Sequence, residues 1–192
     1  MPPKVKITKQ DIINTSIELV RKNGAEAINA RAIATLLSCS TQPVFSNFST
    51  MEELQHETML GAYGIYLDFI NSEIESKKYP QYKAFGMAYI RFAEQEKELF
   101  KLLFMCDRDG KEIVPGPDFD EAIEVIMSAT GLSREKATLL HLEMWTFVHG
   151  IGTMLATSYL SLDWELISNM LTDVYQGIRA RHLSKEKENV SN

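Results

Sequence analysis

The stretch Asn29–Phe48, NARAIATLLSCSTQPVFSNF, holds two short helical patterns and the turn between them. In the first, Ile33, Leu36 and Leu37 recur at i, i+3, i+4 and form one apolar stripe. Ser38-Cys39 interrupts it, and Ser40 fits an N-cap for a second helix, because its hydroxyl can accept a bond from a first-turn amide. Pro43 then falls within that first turn, where a missing N–H costs no intrahelical bond. Val44 and Phe48, four apart, face inward together, while Thr41, Gln42, Phe45 and Ser46 are left on the outer side. Two short helices joined by a tight turn, the second apolar on one side only, predict a helix-turn-helix that meets DNA with its outer side.

The flanking segments extend the same reading. Thr8 with Asp11 three residues later makes a capping-box start. Ile12, Ile13, Ser16, Ile17, Leu19 and Val20 give the helix that follows a broad apolar face, and Asn23-Gly24 stops it. Ser49-Thr50 caps a long helix predicted from about Met51 to Glu75, with Glu52 and Glu53 suiting the positive end of its dipole. Further helices are predicted over Tyr82–Glu94, Leu99–Met105, Phe119–Ser128, Ser133 to about Tyr159, and from Asp163 onward. A loop is expected at Asp107–Pro117 and a disordered polar tail at Ser184–Asn192. No stretch alternates with period two, so the chain is predicted all-α: a three-helix DNA-binding domain over residues 1–50 and a helical effector-binding and dimerising domain over residues 51–192.

Charge supports that division. The chain carries −6, but residues 1–48 hold six Lys and Arg against three acids, leaving fourteen against twenty-three for the remainder. A basic head on an acidic body fits a head that binds DNA and a body that does not. Cys39 and Cys106 form no C-x-x-C, so no structural disulfide is expected. With no signal-peptide pattern and no run of about twenty apolar residues, a cytoplasmic protein without a membrane span is expected.

From Lys6 to about Leu60 the chain resembles the DNA-binding domain of tetracycline-repressor (TetR) family regulators. The resemblance is carried by DIINTSIELVRKNG, by Asn29-Ala30-Arg31-Ala32-Ile33-Ala34, and by Ser40 through Phe48 followed by Met51-Glu52-Glu53-Leu54. It implies a homodimeric, ligand-responsive transcription factor, usually a repressor. Two positions depart from the family pattern. Phe45 stands where a phosphate-binding tyrosine is usual, and Met51 where a lysine commonly meets the DNA backbone.

The candidate sites follow. Gln42 is expected to read a base, since its amide can bond adenine N6 and N7 together, and Arg31 is expected to do so because the resemblance implies that its position reaches a base or phosphate. Lys6, Asn29, Thr41, Thr50 and the helix start at Thr50–Glu52 are expected on phosphates. Pro43, Phe45, Ser46 and Asn47 complete the face, with Phe45 either packed into the head or turned toward a thymine methyl or sugar. Trp145-Thr-Phe-Val-His149-Gly150 resembles a TetR C-terminal subgroup with a Trp-x-x-x-His-Gly signature. His149 there either binds a ligand or satisfies a buried bond. Tyr66, Phe69, Tyr89, Phe92, Phe104, Met105, Trp145 and His149 are the expected lining of a pocket for an unidentified small apolar effector. Met154, Leu155, Met170, Leu171, Val174 and Ile178, on the last two helices, are the expected dimer contacts.

No catalytic residue, metal site or cofactor is expected. His141-Leu-Glu143-Met is not H-E-x-x-H, and glycine-rich phosphate loops and a G-x-S-x-G elbow are missing. Two alternatives remain at this stage: a regulator whose body recruits a partner protein rather than a small ligand, and a helical-bundle enzyme. The latter lacks the paired Glu-x-x-His motifs it would need.

Overall fold

The computed structural model describes residues 7–106 and 117–190, with side chains at 7–106 and 118–184. Among these residues regular structure is helical throughout: α1 (Lys9–Asn23), a 3-10 turn (Ala25–Ala27), α2 (Ala30–Leu36), α3 (Gln42–Asn47), α4 (Met51–Glu75), α5 (Gln81–Gln95), α6 (Lys97–Phe104), α7 (Pro117–Thr130), α8 (Arg134–Ala156) and α9 (Trp164–Val190). The chain is all-α. It divides into two compact units. One comprises the chain up to Tyr66 together with the α6 segment from Glu96, and the other comprises Leu67–Gln95 with α7, α8 and α9. Helix α4 is continuous and contributes residues to both.

In the first unit, α1 begins as its sequence predicts. The Asp11 amide donates to Thr8 Oγ1 at 3.1 Å and the Thr8 amide donates to Asp11 Oδ2 at 2.9 Å, a reciprocal cap. Gly24 ends the helix at φ 80°, a left-handed geometry that a β-carbon would strain. All six residues of the expected apolar face are buried. Ser16 is tolerated among them because its hydroxyl donates to the Ile12 carbonyl at 2.9 Å. Arg21 grips Glu96 through Nε (2.9 Å) and Nη2 (2.8 Å), and Lys9 Nζ reaches Glu57 at 2.7 Å, fastening α1 to the start of α6 and to α4.

The helix pair differs from expectation in two details. The inward face of α2 is Ile33 and Ala34, with Leu37 half-buried, whereas Leu36 is 52% exposed. A seven-residue helix presents a narrow stripe, and Ala34 lies closer to its centre than Leu36. Ser40 is not the N-cap of α3. Ser38 adopts φ 52° in the turn, so the chain enters α3 later, with Thr41 as the capping position and Pro43 in the first turn. Val44 and Phe48 are buried, as their spacing predicts. At the start of α4, Thr50 Oγ1 accepts from the Glu53 amide at 3.1 Å, and Glu53 Oε2 accepts from the Ser49 amide at 2.7 Å.

In the second unit, α5 is the central helix, with Phe85, Met87, Ala88, Tyr89, Ile90 and Phe92 all buried. A β-carbon at Gly86 would lie 3.5 Å from Val148 Cγ2 of α8, an ordinary contact, but 3.0 Å from Leu171 Cδ2, so the Leu171 side chain of α9 would have to give by a few tenths of an ångström. A second cluster joins α7 to α8 through Ile123, Ile126, Leu132, Ala137, Leu140 and Met144, with Val174, Tyr175 and Ile178 of α9 packed against it. Arg91 bonds the buried Glu73 at 3.1 Å and lies 4.4 Å from the centre of the Trp164 ring, joining the end of α4 to α5 and α9. Ser133 caps α8 through a bond from the Lys136 amide.

The expected polar tail is helical to Val190, because Ser184 is followed by Lys and Glu, good helix formers with no breaker among them. The expected loop Asp107–Pro117 falls outside the described residues except for Pro117, which opens α7.

Candidate nucleic-acid interface

The outer side of α2 and α3 forms an open cleft of about 540 Å³ lined by Asn29, Ala30, Arg31, Thr41 and Phe45. Short helices and the left-handed Ser38 turn bring the start of α2 beside the start of α3. Arg31 is exposed and, among the described residues, pairs with no carboxylate; Gln42 is exposed and its side-chain amide makes no hydrogen bond there. A guanidinium and an amide left unengaged on a surface are available to an outside partner.

Other expected contact residues are already engaged. Asn29 Oδ1 accepts from the Ala32 amide at 2.9 Å, and its Nδ2 donates to the Ala27 carbonyl at 3.1 Å, so the side chain is the N-cap of α2. Ser46 Oγ donates to the Gln42 carbonyl and Asn47 Nδ2 to the Pro43 carbonyl, both at 2.8 Å. Pro43 is half-buried. Thr50, with Glu53 and Glu52, closes the start of α4; its hydroxyl helps hold the Glu52 carboxyl below its ordinary range, after a backbone bond to Glu52 itself. Carboxylates therefore already occupy that helix start. Phe45 faces outward, 58% exposed. Lys6 lies outside the described residues.

The residues expected around an effector fall into three groups. In the first unit Tyr66 meets Phe104 edge-on at 5.3 Å, and Met105 is 39% exposed. In the second, Phe69 meets Phe92 edge-on at 5.4 Å. The third group is the Trp145–His149 motif. Tyr89 of α5 bonds His149 Nδ1 at 2.8 Å, and the Trp145 ring stacks on the imidazole with centroids 5.2 Å apart. Burial pushes His149 below its ordinary range and pushes the Tyr89 hydroxyl up.

Sequence reasoning missed a matching pair beside it. Tyr82 bonds His141 Nδ1 at 3.1 Å, and Phe119 meets that imidazole edge-on at 4.9 Å. Burial lowers His141 to about 4, against an opposing charge from Asp118. Tyr82 and Tyr89 are seven apart on α5, and His141 and His149 eight apart on α8. The signal was two tyrosines and two histidines each about two turns apart, as two helices running side by side in the same direction would need.

Of the expected dimer contacts, Leu155 and Leu171 are buried within the protomer at 5% and 3% exposure. Val174 and Ile178 pack against the α7–α8 cluster, and Met154 and Met170 are half-buried. A β-carbon at Gly150 or Gly177 would meet nothing within 4 Å, and Leu139, Leu142 and Leu166 are exposed on the same two helices.

Comparison with known families bears on this second unit. Residues 82–174 match the tetracyclin repressor-like C-terminal domain. The matched segment runs from Tyr82 in α5 through α8 into the first part of α9, ending at Val174, and includes both Tyr–His pairs and the Trp145–His149 motif. No curated protein matches the chain. The tetracyclin repressor-like match and the all-helical architecture support a DNA-binding regulator. Among the described residues no group of three or more His, Cys, Asp or Glu is placed to hold a metal ion, and no helix is long and apolar enough to cross a membrane.

Proposed function

We infer that the protein is a tetracyclin repressor-type transcriptional regulator that binds a palindromic operator as a homodimer and is released by a small, mainly apolar effector. The observation that carries the reading is the outer face of α2 and α3, where Arg31 and Gln42 stand exposed beside an open cleft and, among the described residues, unengaged. In a major groove the guanidinium matches the O6 and N7 acceptors of guanine, and the amide matches the N6 and N7 pattern of adenine. Two heads related by a dyad require half-sites on one face of the duplex, about 34–36 Å or a multiple apart. Phosphate contacts are assigned to Thr41 and Lys6, because the amides at the start of α4 already face carboxylates.

The dimer is assigned to α8 and α9. Open space at Gly150 and Gly177 and the exposed leucines of these helices support pairing with a second copy. The effector is assigned to the half-exposed Trp145–His149 face. Helix α4, continuous from Met51 to Glu75, is the proposed link between effector and operator. The effector must favour one arrangement of the heads by roughly 1–3 kcal/mol to act.

Duplexes selected from a random library by the full chain test the operator reading. The selected sequence should be palindromic, and Arg31→Ala or Gln42→Ala should each cost about 1–3 kcal/mol on it while leaving scrambled DNA nearly unaffected. Equal losses on selected and scrambled DNA across a salt series would show that neither residue reads a base.

A further inference from the structure

The cleft beside Arg31 is more apolar than a phosphate contact requires. We propose that it receives the C5-methyl group of a thymine lying next to the guanine that Arg31 reads. The proposal rests on the duplex-binding reading above and goes beyond it by assigning one base group to one subsite. Three of the five lining residues, Ala30, Thr41 and Phe45, offer the methyl, methyl-bearing and aromatic surfaces that contact a thymine methyl in a major groove.

Phe45 holds the decisive position. Its ring is 58% exposed, and among the described residues no other ring or cation stacks on it. A phenyl ring can neither donate to a phosphate nor accept from an amide, so what it gains from a partner is the removal of apolar surface from water. The polar content of the cleft then decides which apolar group arrives. Asn29 is engaged as the cap of α2, which leaves the Arg31 guanidinium and the Thr41 hydroxyl. The Arg31 charge, unpaired among the described residues and in the same cleft as the ring, draws in a polyanion. It also sets the ring beside the groove edge that the guanidinium reads rather than against the sugar. At about 540 Å³ the cleft has room for adjoining base edges rather than a single ion. In the major groove the thymine methyl is the only apolar group that the four bases present.

Replacing thymine by deoxyuridine deletes that methyl and leaves base pairing intact. The probe is the duplex selected by the full chain, with each thymine of a half-site replaced in turn and symmetrically. At one position, next to the guanine whose replacement most weakens wild-type binding, deoxyuridine should weaken binding about fourfold per half-site, the worth of one buried methyl-sized group. Phe45→Ala should bind the thymine and deoxyuridine duplexes alike while still discriminating at the guanine. Wild-type protein indifferent to deoxyuridine at every position would overturn the proposal. So would Phe45→Ala keeping the full methyl sensitivity, or losing affinity equally for all duplexes as a sugar contact would. Failure to select any duplex would overturn the operator reading along with it, whereas a selected but methyl-insensitive duplex overturns this subsite alone.

Discussion

On α3, Phe45 leaves 58% of its surface in solvent, whereas on α5 Phe92 is fully buried and meets Phe69 edge-on at 5.4 Å. Their neighbours differ in the same way. Around Phe45, Arg31 and Gln42 make no side-chain bond among the described residues; on α5, Tyr82 and Tyr89 each hold a histidine of α8. In one region Arg31, Gln42 and Phe45 are turned outward, and in the other the polar side chains of α5 are paired within. A side chain that folding does not need is free to be selected for a partner, and one that folding uses is constrained by packing. Substitutions should therefore separate into those that change binding and those that change stability.

The largest separation is expected at Phe92. Phe92→Ala removes a fully buried ring from a helix that touches both α8 and α9, and should cost about 3–5 kcal/mol in urea unfolding. A loss under 1 kcal/mol would mean that α5 can close over the vacancy, and the contrast with Phe45 would collapse.

Acid should expose the polar part of the contrast. His141 is held near 4 in the folded protein against an ordinary value of about 6.5, because burial disfavours its charged form. Between those values the unfolded chain binds a proton that the folded one refuses. Stability is then complete above about pH 6.5 and falls as the pH drops toward 4, by about 3 kcal/mol from this group. His149 acts in the same direction. His141→Gln keeps a polar partner for the Tyr82 hydroxyl and does not titrate, so its urea midpoint should change less between pH 7 and 4.5 than that of the wild type. Parallel midpoints for the two proteins would place the acid sensitivity elsewhere.

Much of this was legible in the chain. The bounds of α4, the Thr8–Asp11 cap, the Gly24 stop and the buried face of α1 all follow from local periodicity and capping chemistry, which depend on residues within a turn or two. Ser40 and Leu36 were misread because a short helix leaves its stripe poorly defined and a single left-handed residue, Ser38, shifts where the next helix begins. For a different reason, the Tyr–His pairs left only the matched two-turn spacings of Tyr82 with Tyr89 and of His141 with His149 in the sequence. Each depends on the register between α5 and α8, about sixty residues apart in sequence, and no local pattern encodes it. In the candidate interface, sequence spacing put Thr41, Gln42, Phe45 and Ser46 on the outer side, and the family resemblance added Arg31. Neither revealed that Asn29, Ser46 and Asn47 turn back onto their own backbone, because residue type alone does not say which of several bonds a side chain makes.

The smallest effect should fall where the interface reading needs it to be small. Phe45→Ala removes a ring that is already mostly in water, so little burial is lost on folding, and alanine is the better helix former within α3. The two terms oppose each other, and the net change should lie within about 0.5 kcal/mol, as for most surface substitutions. Urea midpoints of Phe45→Ala and wild type at pH 7 give the comparison directly. Near-identical midpoints together with altered duplex binding would assign Phe45 to recognition. A loss above about 1 kcal/mol would instead make the ring part of the packing between α2 and α3. The cleft would then be a by-product of how two short helices meet, and the contrast with Phe92 would be one of degree.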